Sequence, residues 1–304
     1  MQLSQEVPAK TASLVRLSDY PLIWLLLLTT AGLAFCKTNK TESLRIGSWN
    51  IEWFRPEFRP NSPKFRTNKD FQALKKVIDT IKPDILAVQE VESREFLQRV
   101  AEPDHYTSIL ENRDSDQRTG FLIRKSIVWK RHPDVSLNIG HDGLRLGVHI
   151  ELPGRSGSLH LLSIHLASGC WATETSLNSS QTGCLRLKRQ LPTLKKWLHR
   201  YGQGNNQVVI LGDFNRRLNA NDAVWQHLTG KQTGKHRIHL LTGEVISRCP
   251  ASLQPQALID HIVISAPPDH AMPSVTEFHW SKKTQKNQLM SDHCPLYMDL
   301  PFPR

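Results

Sequence analysis

The chain has 304 residues with 39 Lys and Arg against 28 Asp and Glu, a formal net charge of +11, and 39% of its residues are hydrophobic. Nothing in that composition suggests disorder, and the length accommodates one large α/β domain or two small ones with a sizeable core. The positive excess suggests a polyanionic partner, nucleic acid or an anionic membrane surface, over general solubility charge.

Pro21 to Phe35, PLIWLLLLTTAGLAF, is an apolar run of 15 residues that follows Lys10 and Arg16 and contains the small-residue step Gly32-Leu33-Ala34 near its end. A membrane span needs roughly 18 residues or more. Residues 1–36 are therefore predicted to be a signal peptide and the protein to be secreted or periplasmic, with a retained signal anchor as the alternative. Leu33-Ala34-Phe35-Cys36 resembles a bacterial lipoprotein box, although the bulky Phe35 departs from its small-residue preference. A lipidated Cys36 or an uncleaved leader is the one route to a membrane. Glu6 and Asp19 cancel Lys10 and Arg16, so the part that follows keeps the whole charge of +11. Beyond Cys36, the cysteines Cys170, Cys184, Cys249 and Cys294 are an even set compatible with disulfides.

From residue 40 to 304 the pattern is that of one domain, without repeat, long linker or low-complexity segment. Leu44 to Asn50 alternates as a strand. Asn68 is predicted to cap a helix whose Phe71, Leu74, Ile78 and Ile81 share a face until Pro83 stops it. Asp84 to Glu90 reads as a buried strand, and a helix is predicted to begin near Ser93. Gly120 to Arg124, Leu146 to Leu152 and Leu159 to His165 read as further strands. Leu166 to Gly183, rich in Ser, Thr, Gly and Asn, reads as a loop. Leu187, Leu191, Leu194 and Leu198 mark a helix that Pro192 should kink. Strands recur at Val208 to Gly212, Leu258 to Ile264 and Leu296 to Leu300. Such alternation implies packed mixed sheets with helices outside.

Apolar runs repeatedly carry hydrogen-bonding or ionisable groups at or near one end. SWNIE brings Asn50 and Glu52, LAVQE Glu90, LLSIHL His165, and VVILGDFN Asp213 and Asn215. LIDHIVIS places Asp260 in an apolar strand, and LMSDHCPLYMDL sets Asp292 and His293 before one. Strand alternation would aim Asp213 and Asn215 to one side. Burying so many polar groups without a purpose would be costly, so an active site on one sheet rim is the prediction. Carboxylates with Asn amides suit a hard cation, Mg²⁺ or Mn²⁺ or else Ca²⁺, rather than zinc. With two histidines they equip a site for phosphodiester hydrolysis.

SWNIE, PDILAVQE, ILGDFN, LIDHIVIS and SDHCPL, in that order from about Leu44 to Leu300, resemble the blocks of the endonuclease/exonuclease/phosphatase superfamily, which includes DNase I. The resemblance implies a four-layer α/β sandwich, two packed mixed β-sheets flanked by helices, and points to a secreted bacterial-type nuclease. It implies Glu90, helped by Glu52 and Asp292, as metal ligands, and Asn50 on the phosphate. Asp213 and Asn215 would orient the attacking water and bind the phosphate. His293, paired with Asp260, would be general base or phosphate-binding imidazole, and His165 would protonate the leaving group. DNase I supports that second histidine with a glutamate, where this chain aligns the neutral Gln117. A neutral amide cannot raise the basicity of His165 as a carboxylate would. His199, His227 and His261 read as surface or packing residues.

The family scaffold also hydrolyses sphingomyelin and inositol phosphates, so substrate must come from other features. The charge, the export signal and Arg186, Lys188, Arg189, Lys195 and Lys196 on one helix favour nucleic acid, DNA before RNA. The alternatives are a secreted sphingomyelinase-like or other phosphate-ester hydrolase and a non-catalytic nucleic-acid-binding protein. No hydrophobic membrane-penetrating run is found, although Trp171 could make a small contact. No stable protein partner is implied. A Cys170–Cys184 disulfide is expected to close the polar loop beside His165, worth ~3 kcal/mol for a ring of ~15 residues. Cys249 and Cys294 are the weaker pair, because family members from reducing compartments share the cysteine of SDHCP.

Overall fold

Strands that read as continuous apolar runs do so because both their faces are covered. In this computed structural model the described residues are 43–54, 66–141, 143–171, 177–230, 237–252, 254, 256–266 and 271–302, all within the unit Thr41–Arg304. The predicted leader 1–36, with Cys36, lies outside them.

In chain order the elements are β1 (Ser43–Phe54), α1 (Asn68–Ile81), β2 (Ile85–Val91), α2 (Arg94–Leu97), β3 (Tyr106–Leu110), β4 (Arg118–Arg124) and β5 (Lys130–Arg131). There follow β6 (Val148–Leu152), β7 (Leu159–His165), α3 (Thr182–Tyr201), β8 (Gln207–Asp213), α4 (Ala223–Thr229) and β9 (Arg237–Leu240). The remainder is β10 (Ile246–Ser247), β11 (Gln256–Ala257), β12 (Asp260–Ala266), β13 (Thr276–Glu277), α5 (Lys282–Asn287) and β14 (Leu296–Pro301).

Two six-stranded sheets form, in the orders β13-β14-β1-β2-β4-β3 and β5-β6-β7-β8-β12-β9, with β10 and β11 as a separate ribbon. Each sheet has a central parallel pair, β1 with β2 and β7 with β8, and its other pairings are antiparallel. The parallel pairs require crossovers, and the crossover helices α1 and α3 supply the outer layers. Leu44, Ile46, Ile85 and Phe121 meet Leu161, Val209, Leu211 and Ile262 between the sheets. The alternate residues Val208 and Ile210 pack beneath Leu187, Leu191 and Leu194 of α3. Trp49, Leu86 and Val88 likewise pack against Phe71, Leu74 and Ile78 of α1. The result is the helix–sheet–sheet–helix sandwich that the sequence predicts.

Two local expectations are corrected, and one left weaker is met. Thr67, not Asn68, caps α1, because Asp70 turns its carboxylate back to accept from the Thr67 N–H at 2.7 Å. α3 starts at Thr182 and runs through Pro192 to Tyr201, so the predicted loop stops short of Gly183. Gly183 is required there by a close approach, since a Cβ would lie 2.3 Å from the Ser168 carbonyl oxygen. Cys249 and Cys294, the weaker expectation, are bridged with Cα atoms 5.6 Å apart, as Cys170 and Cys184 are at 4.9 Å. No helix among the described residues is long and apolar enough to cross a membrane.

Candidate active site

The site continues the inter-sheet core, with polar groups replacing apolar ones at the last rungs. In the second sheet His165 pairs with Asp213 across β7 and β8, and Asp213 pairs with Asp260 across β8 and β12. Directly paired residues share a face, so the face that carries Leu161, Leu211 and Ile262 ends in an imidazole and two carboxylates. In the first sheet Ile46, Ser48 and Asn50 follow one another on the inner face of β1. Asn50 joins the sheets, its Nδ2 donating to Glu90 Oε1 at 3.3 Å and to Asp213 Oδ2 at 3.1 Å.

Strict alternation would send Glu90 outward with Leu86 and Val88. Instead Glu90 has φ 60°, and the register between β2 and β4 shifts between Val88 and Val91. Glu52 and Trp53 take φ 52° and 45°, and Asn215 takes φ 51°. Left-handed backbone in non-glycine residues costs of order 1–3 kcal/mol each and gathers where function needs an exact placement of side chains. For Asp213 and Asn215 the alternation argument gives the right outcome for the wrong reason. β8 ends at Asp213, whose Oδ1 accepts from the Asn215 N–H at 2.7 Å, and that turn brings the amide to the carboxylate.

Arg66, which has no recognisable sequence signal, braces this strained backbone. Its guanidinium is buried and donates to the carbonyls of Ile51 (2.9 Å), Glu52 (2.7 Å) and Trp53 (3.1 Å), and to those of Leu289 and Met290 (both 3.2 Å). It thereby ties the segment of Glu52 to the segment that leads to Asp292. Glu52 completes the tie by accepting from the Asp292 N–H through Oε2 at 2.9 Å.

Gln117 does not serve His165. Its Nε2 donates to Glu90 Oε2 at 2.8 Å, while its Oε1 accepts from Arg145 at 2.6 Å. Glu90 Oε2 also accepts from the Trp53 N–H at 3.0 Å. His165 lies 3.4 Å from Asp213 Oδ2 and 3.9 Å from Glu90 Oε1, and its buried Nδ1 has no hydrogen-bond partner among the described residues. Burial, then the charges of Arg145, His293 and Arg113, hold its pKa well below 6.5, so it is a neutral imidazole.

His293 is the opposite case. Its Nδ1 stands 2.5 Å from Asp260 Oδ2, and Ser291 fixes the turn by accepting from the His293 N–H and donating to the Asn50 carbonyl. Burial would lower the His293 pKa, but the Asp260 charge and hydrogen bond, helped by Asp213 and Asp292, raise it well above 6.5. Asp213 is pushed up to about 7, by burial first and by the Asp260 charge second. Ligand atoms of Asp213, Asp260 and His293 all lie within 4.8 Å of one another. Asp292, whose carboxylate is 54% exposed, is 3.7 Å from His293 Nε2.

A cavity of about 500 Å³ opens beside these groups, lined by Trp171, Arg217, Asp260, Asp292 and His293 and by the second disulfide. Trp171 is half exposed and donates through Nε1 to Asn215 Oδ1 at 3.2 Å. α3 runs away from the rim, so Arg186, Lys188 and Arg189 lie within two turns of its near end. Lys195 and Lys196 lie roughly 20 Å along it. His199 and His227 are exposed, as read from the sequence, whereas His261 is fully buried and packs through Nδ1 on Thr242 Oγ1 at 2.7 Å.

The profile of the Endonuclease/Exonuclease/phosphatase family matches residues 47–293. The chain belongs to that family. Membership places it among phosphoester hydrolases. A truncated TDP2 from Caenorhabditis elegans superimposes with TM-score 0.58 at 16% identity, covering 86% of this chain and 98% of that one. The mannosyl-6-phosphatase of Bacteroides thetaiotaomicron gives TM-score 0.56 at 16% identity, covering 85% and 99%. The human nocturnin catalytic domain gives 0.52 at 15%, covering 86% and 94%. At these identities the likeness shows the fold, the DNase I-like sandwich. No curated protein gives a significant sequence match.

Proposed function

We propose that the protein is a secreted, divalent-metal-dependent phosphodiesterase that hydrolyses nucleic acid, DNA first. The observation that carries this reading is the Asn50 amide held between Glu90 and Asp213, with the His293–Asp260 pair beside them. Family membership supports phosphoester chemistry. The charge of +11 supports a polyanionic substrate,. A Danio rerio TDP2 of the same fold was solved with a single-strand DNA product, at TM-score 0.56 and 16% identity. The two disulfides fit an oxidising compartment,.

The donor set fits a hard cation. Glu90, Glu52 and Asp292 offer carboxylate oxygens, and Cys294 beside His293 is locked in a disulfide, which withholds a thiolate. Asp260 Oδ1 is buried without a hydrogen-bond partner among the described residues, as an oxygen awaiting a ligand or water would be. Glu90, helped by Glu52 and Asp292, would hold Mg²⁺ or Mn²⁺, which when bound neutralises phosphate charge and polarises the scissile bond.

The chain's own residues then divide the work by their protonation. Asp213, with a pKa near neutral, accepts a proton from the attacking water, and Asn215 orients that water,. The His293 imidazolium, paired with Asp260, and the Asn50 amide bind the phosphate oxygens and stabilise the charge that develops on them. This assigns His293 the phosphate-binding one of its two family roles. His165, a neutral imidazole beside two carboxylates, positions Asp213 in this reading, and the leaving oxygen takes its proton from solvent. The pure protein, incubated with plasmid and with sphingomyelin, each with Mg²⁺ and with EDTA, tests the reading. Mg²⁺-dependent plasmid cleavage supports it. Cleavage of sphingomyelin alone would transfer the site to phospholipid, and binding without cleavage would leave a nucleic-acid-binding protein.

A further inference from the structure

A second group of ligating side chains lies at the other end of β7. His132 directly follows β5, His149 is on β6 and His160 is on β7, and one ring nitrogen of each lies within 4.8 Å of the others. His160 and His165 share β7, yet five residues of strand separate them by roughly 17 Å, and alternation puts them on opposite faces. The histidine group is on the outer face, roofed by Trp197 and Tyr201 of α3 with ring centroids 5.1 and 4.4 Å from that of His149.

We propose that His132, His149 and His160 form a binding site for a borderline-soft divalent cation, zinc foremost, that secures the β5–β6–β7 edge of the second sheet. His149 Nε2 and His160 Nδ1 are 3.1 Å apart. Two nitrogens on one tetrahedral zinc, at Zn–N of ~2.0–2.1 Å, are about 3.3 Å apart, so the pair is already spaced for a shared ion. Imidazole donors select zinc, copper or nickel, whereas the oxygen donors of the active site select magnesium or manganese. Glu151 stands 2.6 Å from His132 Nε2 and is itself held by Ser158 Oγ at 2.7 Å. A carboxylate so placed is the usual support of a metal-bound imidazole, or a fourth oxygen ligand. His132 and Glu151 are half-buried, which gives an ion its way in,. The gain to the fold is local: β5 is a two-residue edge strand, and a cation bound by β6, β7 and the residue that directly follows β5 would pin it.

The test uses protein made without a histidine tag, stripped with EDTA and dialysed against one equivalent of Zn²⁺ in excess Mg²⁺. One zinc per chain should remain, and saturation at about 100-fold over Kd should raise Tm by roughly 5–10 °C. Co²⁺ in its place should give the intense visible absorption of tetrahedral cobalt. His132→Asn, at a half-buried position, should fold, cleave with Mg²⁺ as the parent does, and lose the retained zinc, the Tm shift and the cobalt spectrum. His293→Ala should keep all three. Wild-type protein that retains no zinc overturns the proposal and leaves a packed cluster of neutral histidines. Zinc retained by His132→Asn but lost from His293→Ala overturns it too, and assigns the ion to the active site.

Discussion

His293 Nδ1 and Asp260 Oδ2 are 2.5 Å apart, a charge-assisted contact between a turn before β14 and the first residue of β12. The pair joins the two sheets at the rim. In the proposed reading either single replacement, His293→Ala or Asp260→Ala, removes the cation that would bind the phosphate or the charge that maintains it. Each is expected to lower kcat/KM by about 10²–10³. Residues that act as a unit are non-additive, so the double variant should be little worse than the worse single one. Steady-state cleavage of one oligonucleotide by all four proteins measures this, and additive losses of activation free energy would remove the dyad.

How far this site was legible in the sequence depends on which force placed each residue. Asp260, Asp213 and His165 sit on adjacent rungs of regular strands, so an apolar run ending in an acid or imidazole announces them. Glu90 and Asn215 were also flagged at the ends of apolar runs, but they reach the site through left-handed backbone, which has no sequence period, so how they are aimed was not legible. Arg66 was invisible because its partners are backbone carbonyls in two distant segments. His132 follows β5 while His149 and His160 lie in β6 and β7, and no local spacing links them. The short edge elements β3, β5, β9 and β13 were missed because too few residues carry their pattern.

Gln117 fixes the Glu90 carboxylate rather than His165, so its loss should appear as weakened metal affinity rather than a lost acid. Gln117→Ala is expected to raise the Mg²⁺ concentration for half-maximal activity by about 10–100-fold. The rate at saturating Mg²⁺ should stay within a few-fold of the parent. Glu90→Gln should lower activity at every Mg²⁺ concentration, because a ligand charge is gone. A Mg²⁺ titration of both variants distinguishes them, and a Glu90→Gln protein that cleaves normally at limiting Mg²⁺ would displace Glu90 from the ligand set.

The buried His261 makes stability depend on acid. Burial is the principal cause that lowers its pKa to about 4, below the unfolded value of about 6.5,. A depressed histidine pKa means that the unfolded chain binds the proton more readily. Stability is therefore full above pH ~6.5 and is lost as pH falls toward 4, by an order of about 3 kcal/mol for this one group. Denaturant unfolding at pH 7 and pH 4.5 measures the drop. His261→Gln should be less stable at pH 7 and lose less between the two pH values, whereas an equal loss in both proteins would assign the acid sensitivity elsewhere.

Trp171, half exposed and bonded through its indole N–H to Asn215, stands beside the proposed phosphate-binding groups. The indole is thus fixed in orientation at the wall of the cavity that Asp260, Asp292 and His293 also line. A base next to the scissile phosphate can stack there, and base–aromatic stacking is worth ~1–3 kcal/mol. Trp171→Ala should lower kcat/KM on a single-stranded oligonucleotide by roughly 5–150-fold, and Trp171→Phe should recover part of the loss. The indole also orients Asn215, so an oligonucleotide with abasic residues flanking the cleaved bond is the control that separates the two roles. If stacking is the contribution, parent and Trp171→Ala should cleave the abasic strand at similar rates. If Trp171→Ala is as defective on the abasic strand as on the natural one, the indole acts only through Asn215, and stacking is refuted.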